Sequence, residues 1–442
     1  SESQRYLQAT AERARIIHVQ EQKRAATCRG RPGPGAVRYD AETAGNDAAF
    51  PGVMQSEQVV FSIFLIFTGA AVLATLALYA RQSLLVAYIL LGVLFGPWGF
   101  GLVADVALLK DMAHIGIIFL LFLLGLHLHP QKLLHMFGEA ALVTAVSSAA
   151  CAALGAGAAW LAGFGPRESL VVGAAVMFSS TIIGLKLLPA TVLHHQRMGE
   201  VVISILLLQD LIAIVILLLL QGWGRAGLSA TDGVLLAISL PGVIAFAFLM
   251  ERYVLRRLFA RFDQIREYLF LVTVGWCLGV AALARVLGLS YEIGAFVAGV
   301  AIAAGPIALY IAESLRPLRD FFLVLFFFAL GASFNLPVLQ QVLLPALLLS
   351  VLLLAAKPLV FKALLVWQGE PAASAWEIGV RLGQVSEFSL LIAFMAAQTG
   401  FIEERASYLI QLATLFTFIV SSYYIVRRFP TPIATSDRLR RD

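Results

Sequence analysis

Charge is scarce in this sequence. Asp, Glu, Lys and Arg make up 13% of its 442 residues, about half the share usual in soluble domains, and 60% are hydrophobic. That balance excludes an ordinary water-soluble fold. The apolar runs have helix length and lack the alternation of barrel strands. Cysteine is nearly absent. Cys28, Cys151 and Cys277 are scattered, two of them inside apolar runs, so neither a disulfide framework nor a thiolate metal site is expected. Also missing are a metalloprotease His pair, a phosphate-binding loop and a Gly-rich dinucleotide signature. The chain does not read as an enzyme, and no cofactor is implied. A net charge of +5 would suggest nucleic acid in a soluble chain. Here the Lys and Arg residues fall in loops between apolar runs, which points to membrane lipid as the surroundings and to no nucleic-acid partner.

The first 53 residues differ from the rest. They are rich in Arg, Ala, Gly and Gln, show no apolar period and lack the apolar core of a signal peptide. They read as a disordered or artefactual tail, with Met54 directly before the first span. After it come about thirteen apolar spans. They are Val59–Ala80, Leu84–Phe100, Ala113–Leu126, Ala140–Phe164, Ser169–Leu188, Val201–Leu220, Val234–Leu255, Tyr268–Leu287, Tyr291–Ala308, Phe321–Phe334, Val342–Trp367, Trp376–Ala397 and Tyr408–Val426. Residues 54–430 form the membrane domain and 431–442 a short tail. Basic residues favour one side of the spans, from Arg81 and Lys132 through the Arg252–Arg266 cluster to Arg427 and Arg428. The C-terminus is therefore expected in the cytoplasm and the N-terminus outside.

Two halves of the chain repeat. Phe122-Leu-Leu-Gly-Leu-His-Leu128 resembles Phe328-Ala-Leu-Gly-Ala-Ser-Phe334. Gly92 and Gly96-Pro97 match Gly299 and Gly305-Pro306, and a polar interruption in the fifth span matches one in the twelfth. An odd offset of about seven spans inverts the second half, and paired interrupted spans in two inverted halves point to a transport site.

The chemistry concentrates there. Asp210 is an acid in the middle of the sixth span, where an ionised group costs a few kcal/mol or more and is a functional candidate by default. A buried carboxylate that holds either a proton or a cation, but not both, is a minimal exchange device. Gln209 beside it offers a neutral carbonyl oxygen, the ligand type hard cations prefer. Ser179, Ser180 and Thr181 interrupt the fifth span, and Gln384, Ser386 and Glu387 the twelfth. The pattern suggests two broken helices whose freed carbonyls face a cavity. Lys357, inside the eleventh span, is expected either to pair with Asp210 or to snorkel toward the interface. His127, His129, His194 and His195, at span ends, read as solvated loop positions.

Phe178-Ser-Ser-Thr-Ile-Ile-Gly-Leu-Lys186, Leu208-Gln-Asp-Leu-Ile-Ala213, Gly294-Ala-Phe-Val-Ala-Gly299 and Gly383-Gln-Val-Ser-Glu-Phe388 together resemble the membrane domain of the monovalent cation:proton antiporter-2 family, nearest to its Kef-type potassium/proton antiporters. The resemblance runs from about Val59 to Arg428. It implies an all-α, polytopic, sodium/proton antiporter-like fold of about thirteen transmembrane helices in two inverted repeats with crossed broken helices. It implies a homodimer in a bacterial inner membrane, with spans 1–3 and 8–10 as scaffold, span 7 as linker, and spans 4–6 and 11–13 as a mobile core. Carried onto this chain, Asp210 is the ion and proton carboxylate, Gln209 its neighbour, Lys357 the basic partner, and Thr181 and Glu387 lie in the crossing. The transported ions are H+ and a monovalent cation, with K+ ranked ahead of Na+. Family members often continue into a cytosolic nucleotide-binding domain; this sequence stops about fifteen residues after Arg428, so glutathione or nucleotide gating is expected only if the chain is truncated or a separate cytosolic subunit regulates it. The alternatives are a K+-conducting channel on the same fold and a transport-inactive membrane sensor.

Overall fold

The computed structural model describes residues 51–103, 106–127, 130–186, 188, 197–223, 230–262, 265–303, 305 and 307–431. Most of the N-terminal tail, Pro189, His129, His194, His195 and residues 432–442 lie outside the described residues, as does the side chain of His127. The described residues are helical almost throughout and contain no β-strand.

The first half comprises α1 (Pro51–Tyr79), α2 (Leu84–Phe95), α3 (Val106–His127), α4 (Pro130–Leu161), α5 (Pro166–Val176), α6 (Thr181–Lys186) and α7 (Arg197–Trp223). Next, α8 (Ala230–Met250) passes through one π turn, Glu251–Leu255, into α9 (Arg256–Phe262). The second half comprises α10 (Arg266–Val286), α11 (Tyr291–Ala303), α12 (Ala308–Ser314), α13 (Arg316–Ala332), α14 (Leu336–Trp367), α15 (Ala372–Arg381), α16 (Glu387–Gln398) and α17 (Glu404–Arg428).

Seven described helices are long and apolar enough to cross a membrane unaided, and four shorter apolar helices accompany them. The chain is an integral, multi-pass membrane protein. Fewer helices than expected spans reach full length, for identifiable reasons. The second span ends as a helix at Phe95, before Gly96-Pro97, and the fifth and twelfth are broken in the middle.

The repeated glycines explain two close crossings. A Cβ on Gly92 would lie 2.1 Å from the Phe328 carbonyl oxygen, and one on Gly331 2.0 Å from that of Ile89. Only glycine lets α2 and α13 approach this closely. The same device joins α3 to α11: a Cβ on Gly299 would lie 2.1 Å from the Phe122 carbonyl oxygen, and one on Gly125 2.5 Å from that of Phe296. Gly92 corresponds to Gly299 in the repeat, and Gly125 to Gly331. Each crossing therefore pairs one half with the other, and exchanging the halves turns one crossing into its equivalent. The two helices share a second link, in which His114 Nε2, in the first half of α3, meets the buried Glu292 Oε1, at the start of α11, at 2.6 Å.

The remaining long helices gather around the two breaks. Helix α14 packs along α4, α15 and α17, and α16 packs against α5, α7 and α17. Pro358, inside α14, brings its carbonyl so close to Gly379 of α15 that a Cβ there would lie 2.6 Å from it. That contact sets the neighbouring Lys357 directly against the breaks.

Candidate functional site

Each break has a local cause. Helix α5 starts at Pro166, whose fixed φ suits the first helical turn. Glu168 Oε2 accepts from the Gly165 amide at 3.1 Å. The helix stops at Val176, and the chain runs unwound through Phe178, Ser179 and Ser180 before α6 begins. Here Ser Oγ atoms and carbonyls find partners across the gap in place of the helical ladder. In the second break, Ser386 caps α16 and its Oγ accepts from the Phe388 amide at 3.1 Å.

The two breaks cross and bond to each other. Ser179 Oγ donates to the Leu382 carbonyl at 2.7 Å, and Ser389 Oγ donates to that of Ala175 at 2.5 Å. Gln384 Nε2 donates to the Arg381 carbonyl at 2.8 Å and to that of Ser180 at 3.4 Å. Gln384 Oε1 accepts from Ser421 Oγ of α17 at 3.0 Å, and the Val385 amide donates to Thr417 Oγ1 at 3.2 Å. Ser179, Ser180, Gln384, Ser386, Gln209 and Lys357 are all buried.

Asp210, buried in the middle of α7, faces this crossing. Thr181 Oγ1 lies 3.3 Å from each of its carboxylate oxygens. One residue earlier, Ser180 Oγ donates to Glu387 Oε2 at 2.7 Å and accepts from the Ile183 amide at 3.2 Å. Adjacent hydroxyls of the first break thus end on two carboxylates, one on α7 and one on the first turn of α16. The crossing brings together side-chain oxygens of Asp210, Thr181, Ser180 and Glu387, the donor type hard cations prefer. Among the described residues no group of three or more His, Cys, Asp or Glu could hold a metal ion.

Two expectations change in detail. Lys357 makes no ion pair with Asp210. Its Nζ donates to the carbonyls of Phe178 at 2.7 Å, Gln384 at 3.0 Å and Val176 at 3.5 Å. The reason is local: the C-terminal ends of α5 and α15 present carbonyls without helical partners, and an ammonium can satisfy several at once. The snorkelling alternative also falls, because the side chain is fully buried. Gln209 is not turned toward the carboxylate as a free oxygen ligand. Its Oε1 accepts from the Ser179 amide at 2.9 Å, while its Nε2 is buried with no hydrogen-bond partner among the described residues. Since an amide N–H requires an acceptor, this contact also fixes which way the Gln209 side chain points.

One residue of the crossing went unnoticed in the sequence. Arg381 ends α15 almost fully buried and binds Glu377 Oε1 through Nε at 3.0 Å and Nη2 at 2.7 Å. The signal that singled out Lys357, a charge deep inside an apolar span, is weaker for Arg381, which stands near the start of the stretch that begins at Trp376.

Comparison with known proteins points in one direction. A family model described as "Sodium/hydrogen exchanger, transmembrane" matches residues 63–427. The chain is 29% identical over 377 residues to the glutathione-regulated potassium-efflux system protein KefC of Salmonella schwarzengrund (strain CVM19633), a match covering 82% of this chain and 59% of that protein. It is 30% identical over 372 residues to the protein of the same name from Enterobacter sp. (strain 638), with the same coverages. The chain thus spans under two-thirds of the length of these relatives. In fold it is similar to the sodium proton antiporter MjNhaP1 from Methanocaldococcus jannaschii, with a TM-score of 0.62, 15% sequence identity, and coverage of 84% of this chain and 96% of that one.

Proposed function

Since the chain belongs to the sodium/hydrogen exchanger family, we propose that it exchanges a monovalent cation, K+ before Na+, for H+ by alternating access. The observation that carries this reading is the placement of Asp210 at the crossing of the two breaks, within reach of Thr181 Oγ1. A carboxylate in that setting binds a cation when ionised and a proton when the cation has left. Either occupant neutralises it, which lowers the cost of carrying the site across the membrane interior. The bare carboxylate is the costly state, so the site favours crossing loaded over crossing empty. That asymmetry couples the two ions.

Supporting groups divide the work. Thr181, with Ser180 and Glu387 behind it, supplies oxygen to the dehydrated ion. Gln209 holds the Ser179 amide and shapes the first break. Lys357 neutralises the carbonyl ends of both breaks and keeps one charge throughout the cycle. With Gln209 unable to release a proton and Glu387 retaining its charge state, Asp210 alone changes occupant, and exchange is electroneutral, one for one. K+ ranks first because the sequence motifs and the relatives are of the potassium-efflux type. Further parts of the proposal are a homodimer, a C-terminus in the cytoplasm of a bacterial inner membrane, and regulation through a cytosolic subunit.

The test uses proteoliposomes loaded with K+ and a luminal pH dye. Under antiport, an outward K+ gradient acidifies the lumen without added protonophore, and the Asp210→Asn protein gives no signal. A channel acidifies the lumen only when a protonophore is added, and an inert sensor gives no flux at all. Repeating the assay with Na+ ranks the two cations.

A further inference from the structure

We infer that Arg381 is a positioning residue for the cation site, and that it couples the chain leaving α17, Phe429 to Thr431, to the second break. The activity part of this inference rests on the exchange reading above. Arg381 is 1% exposed and Glu377 24%. Glu377, one turn earlier on the same helix, already supplies a countercharge. A second set of contacts lies on a different part of the chain. Arg381 Nη2 also donates to the Pro430 carbonyl at 2.9 Å, and its guanidinium lies over the Phe429 ring, 5.6 Å from the centroid. Neutralising the buried charge does not require these contacts. They hold the exit of α17 against the end of α15.

The other end of the linkage is the main chain. The Arg381 carbonyl accepts from Gln384 Nε2 at 2.8 Å, and Gln384 reaches the site directly. Its own carbonyl accepts from Lys357 Nζ at 3.0 Å, and its Nε2 approaches the Ser180 carbonyl at 3.4 Å. Ser180 Oγ in turn holds Glu387. A displacement of Phe429–Thr431 is thus passed through one guanidinium and one glutamine to both breaks. The planar fork of arginine serves Glu377 and Pro430 at the same time, whereas lysine, a point donor on a flexible stem, cannot hold both in this geometry.

Arg381→Lys keeps the buried charge and removes the fork. Phe429→Leu leaves Arg381 in place and removes the ring beneath it, and it keeps the inference testable should the lysine variant fail to fold. Two readouts are taken for each variant in the reconstituted protein. The first is the K+ concentration for half-maximal exchange against the maximal rate. The second is deuterium uptake by peptides covering residues 383–387. For Arg381→Lys the half-saturating K+ rises about tenfold with the maximal rate within twofold of wild type, and uptake at 383–387 becomes faster. Phe429→Leu shifts both readouts the same way by a smaller amount. A merely structural arginine lowers the amount of folded protein and leaves both readouts of the folded fraction at wild-type values; that result in either variant overturns the inference. If wild-type protein exchanges no cation for H+, the proposed function fails, and deuterium uptake alone decides the coupling.

Discussion

Lys357 Nζ lies 2.7 Å from the carbonyl oxygen of Phe178, a residue 179 positions earlier in the chain. A single ammonium thereby closes the end of one broken helix while also holding the Gln384 carbonyl in the other. The buried lysine serves the crossing before it serves the carboxylate. Lys357→Met, close in volume, leaves those carbonyls without a donor. Each hydrogen bond to a charged group contributes about 1.5–3 kcal/mol, and the bonds are shared, so a stability loss of about 3 kcal/mol is expected. The measurement is thermal unfolding in detergent, with exchange in liposomes alongside. A melting temperature equal to wild type would show that water satisfies the carbonyls and that the lysine is dispensable to the fold.

Asp210→Asn abolishes exchange and leaves a folded protein. The amide is nearly the same size as the carboxylate, can still accept from Thr181, and no longer carries a buried charge. Replacing a buried charge with a neutral group is often neutral or stabilising, so the melting temperature holds or rises. Exchange above one-third of wild type in a folded Asp210→Asn protein would rule out the mechanism.

Thr181→Val removes the hydroxyl that lies 3.3 Å from both Asp210 oxygens while keeping the branched shape. Loss of one oxygen ligand costs about 1.4 kcal/mol, a tenfold rise in the half-saturating cation concentration. Thr181→Ser restores the hydroxyl and most of the affinity. Equal affinity in the valine and wild-type proteins would place the ion away from this hydroxyl.

Much of this arrangement was legible in the sequence, because each feature leaves a mark in composition. Asp210 stands alone among aliphatic residues. The polar interruptions at Ser179–Thr181 and Gln384–Glu387 recur at equivalent points of the repeat, and the repeated Gly92/Gly299 and Phe-x-x-Gly elements fall on the two glycine crossings. What stayed hidden depends on direction. No pattern of residue types tells that Gln209 turns its oxygen toward the Ser179 amide, or that Lys357 reaches carbonyls in place of a carboxylate. Main-chain acceptors are present at every residue, and only the fold decides which are left unpaired. Arg381 was masked differently, since a basic residue six positions into an apolar stretch that begins at Trp376 resembles an interfacial anchor.

The glycine crossings allow a controlled pair. Gly92→Ala places a methyl where the Phe328 carbonyl oxygen would be 2.1 Å away, whereas a Cβ on Gly279 meets nothing within 4 Å. Backbone on both sides of the first site prevents easy relief, so Gly92→Ala is expected to cost about 2–3 kcal/mol, as overpacking does. Gly279→Ala is expected to be neutral or slightly stabilising. Detergent melting curves of the two variants check this. Equal stability would mean that α2 and α13 separate without penalty.

The last prediction concerns charge movement and rests on Gln209. As glutamine it accepts from the Ser179 amide at 2.9 Å and has no proton to give up. Asp210 is then neutralised by one cation in one direction and by one proton in the other. On the proposed mechanism the net charge crossing the membrane is the same each way, and a membrane potential has nothing to act on. Moving one unpaired charge through 100 mV is worth about 2.3 kcal/mol, so even partial imbalance is visible. With the potential clamped by an independent ionophore pair, the ion gradient at which wild-type exchange reverses is expected to be independent of voltage. Gln209→Glu keeps the side-chain length and an oxygen for the Ser179 amide, and adds a second acid beside Asp210. If that acid takes up a proton in one half of the cycle and releases it in the other, the stoichiometry becomes unequal and the reversal point moves with voltage. A wild-type reversal point that already moves would mean that Glu387 or Lys357 exchanges protons during the cycle, and that Asp210 is not the only group changing its occupant.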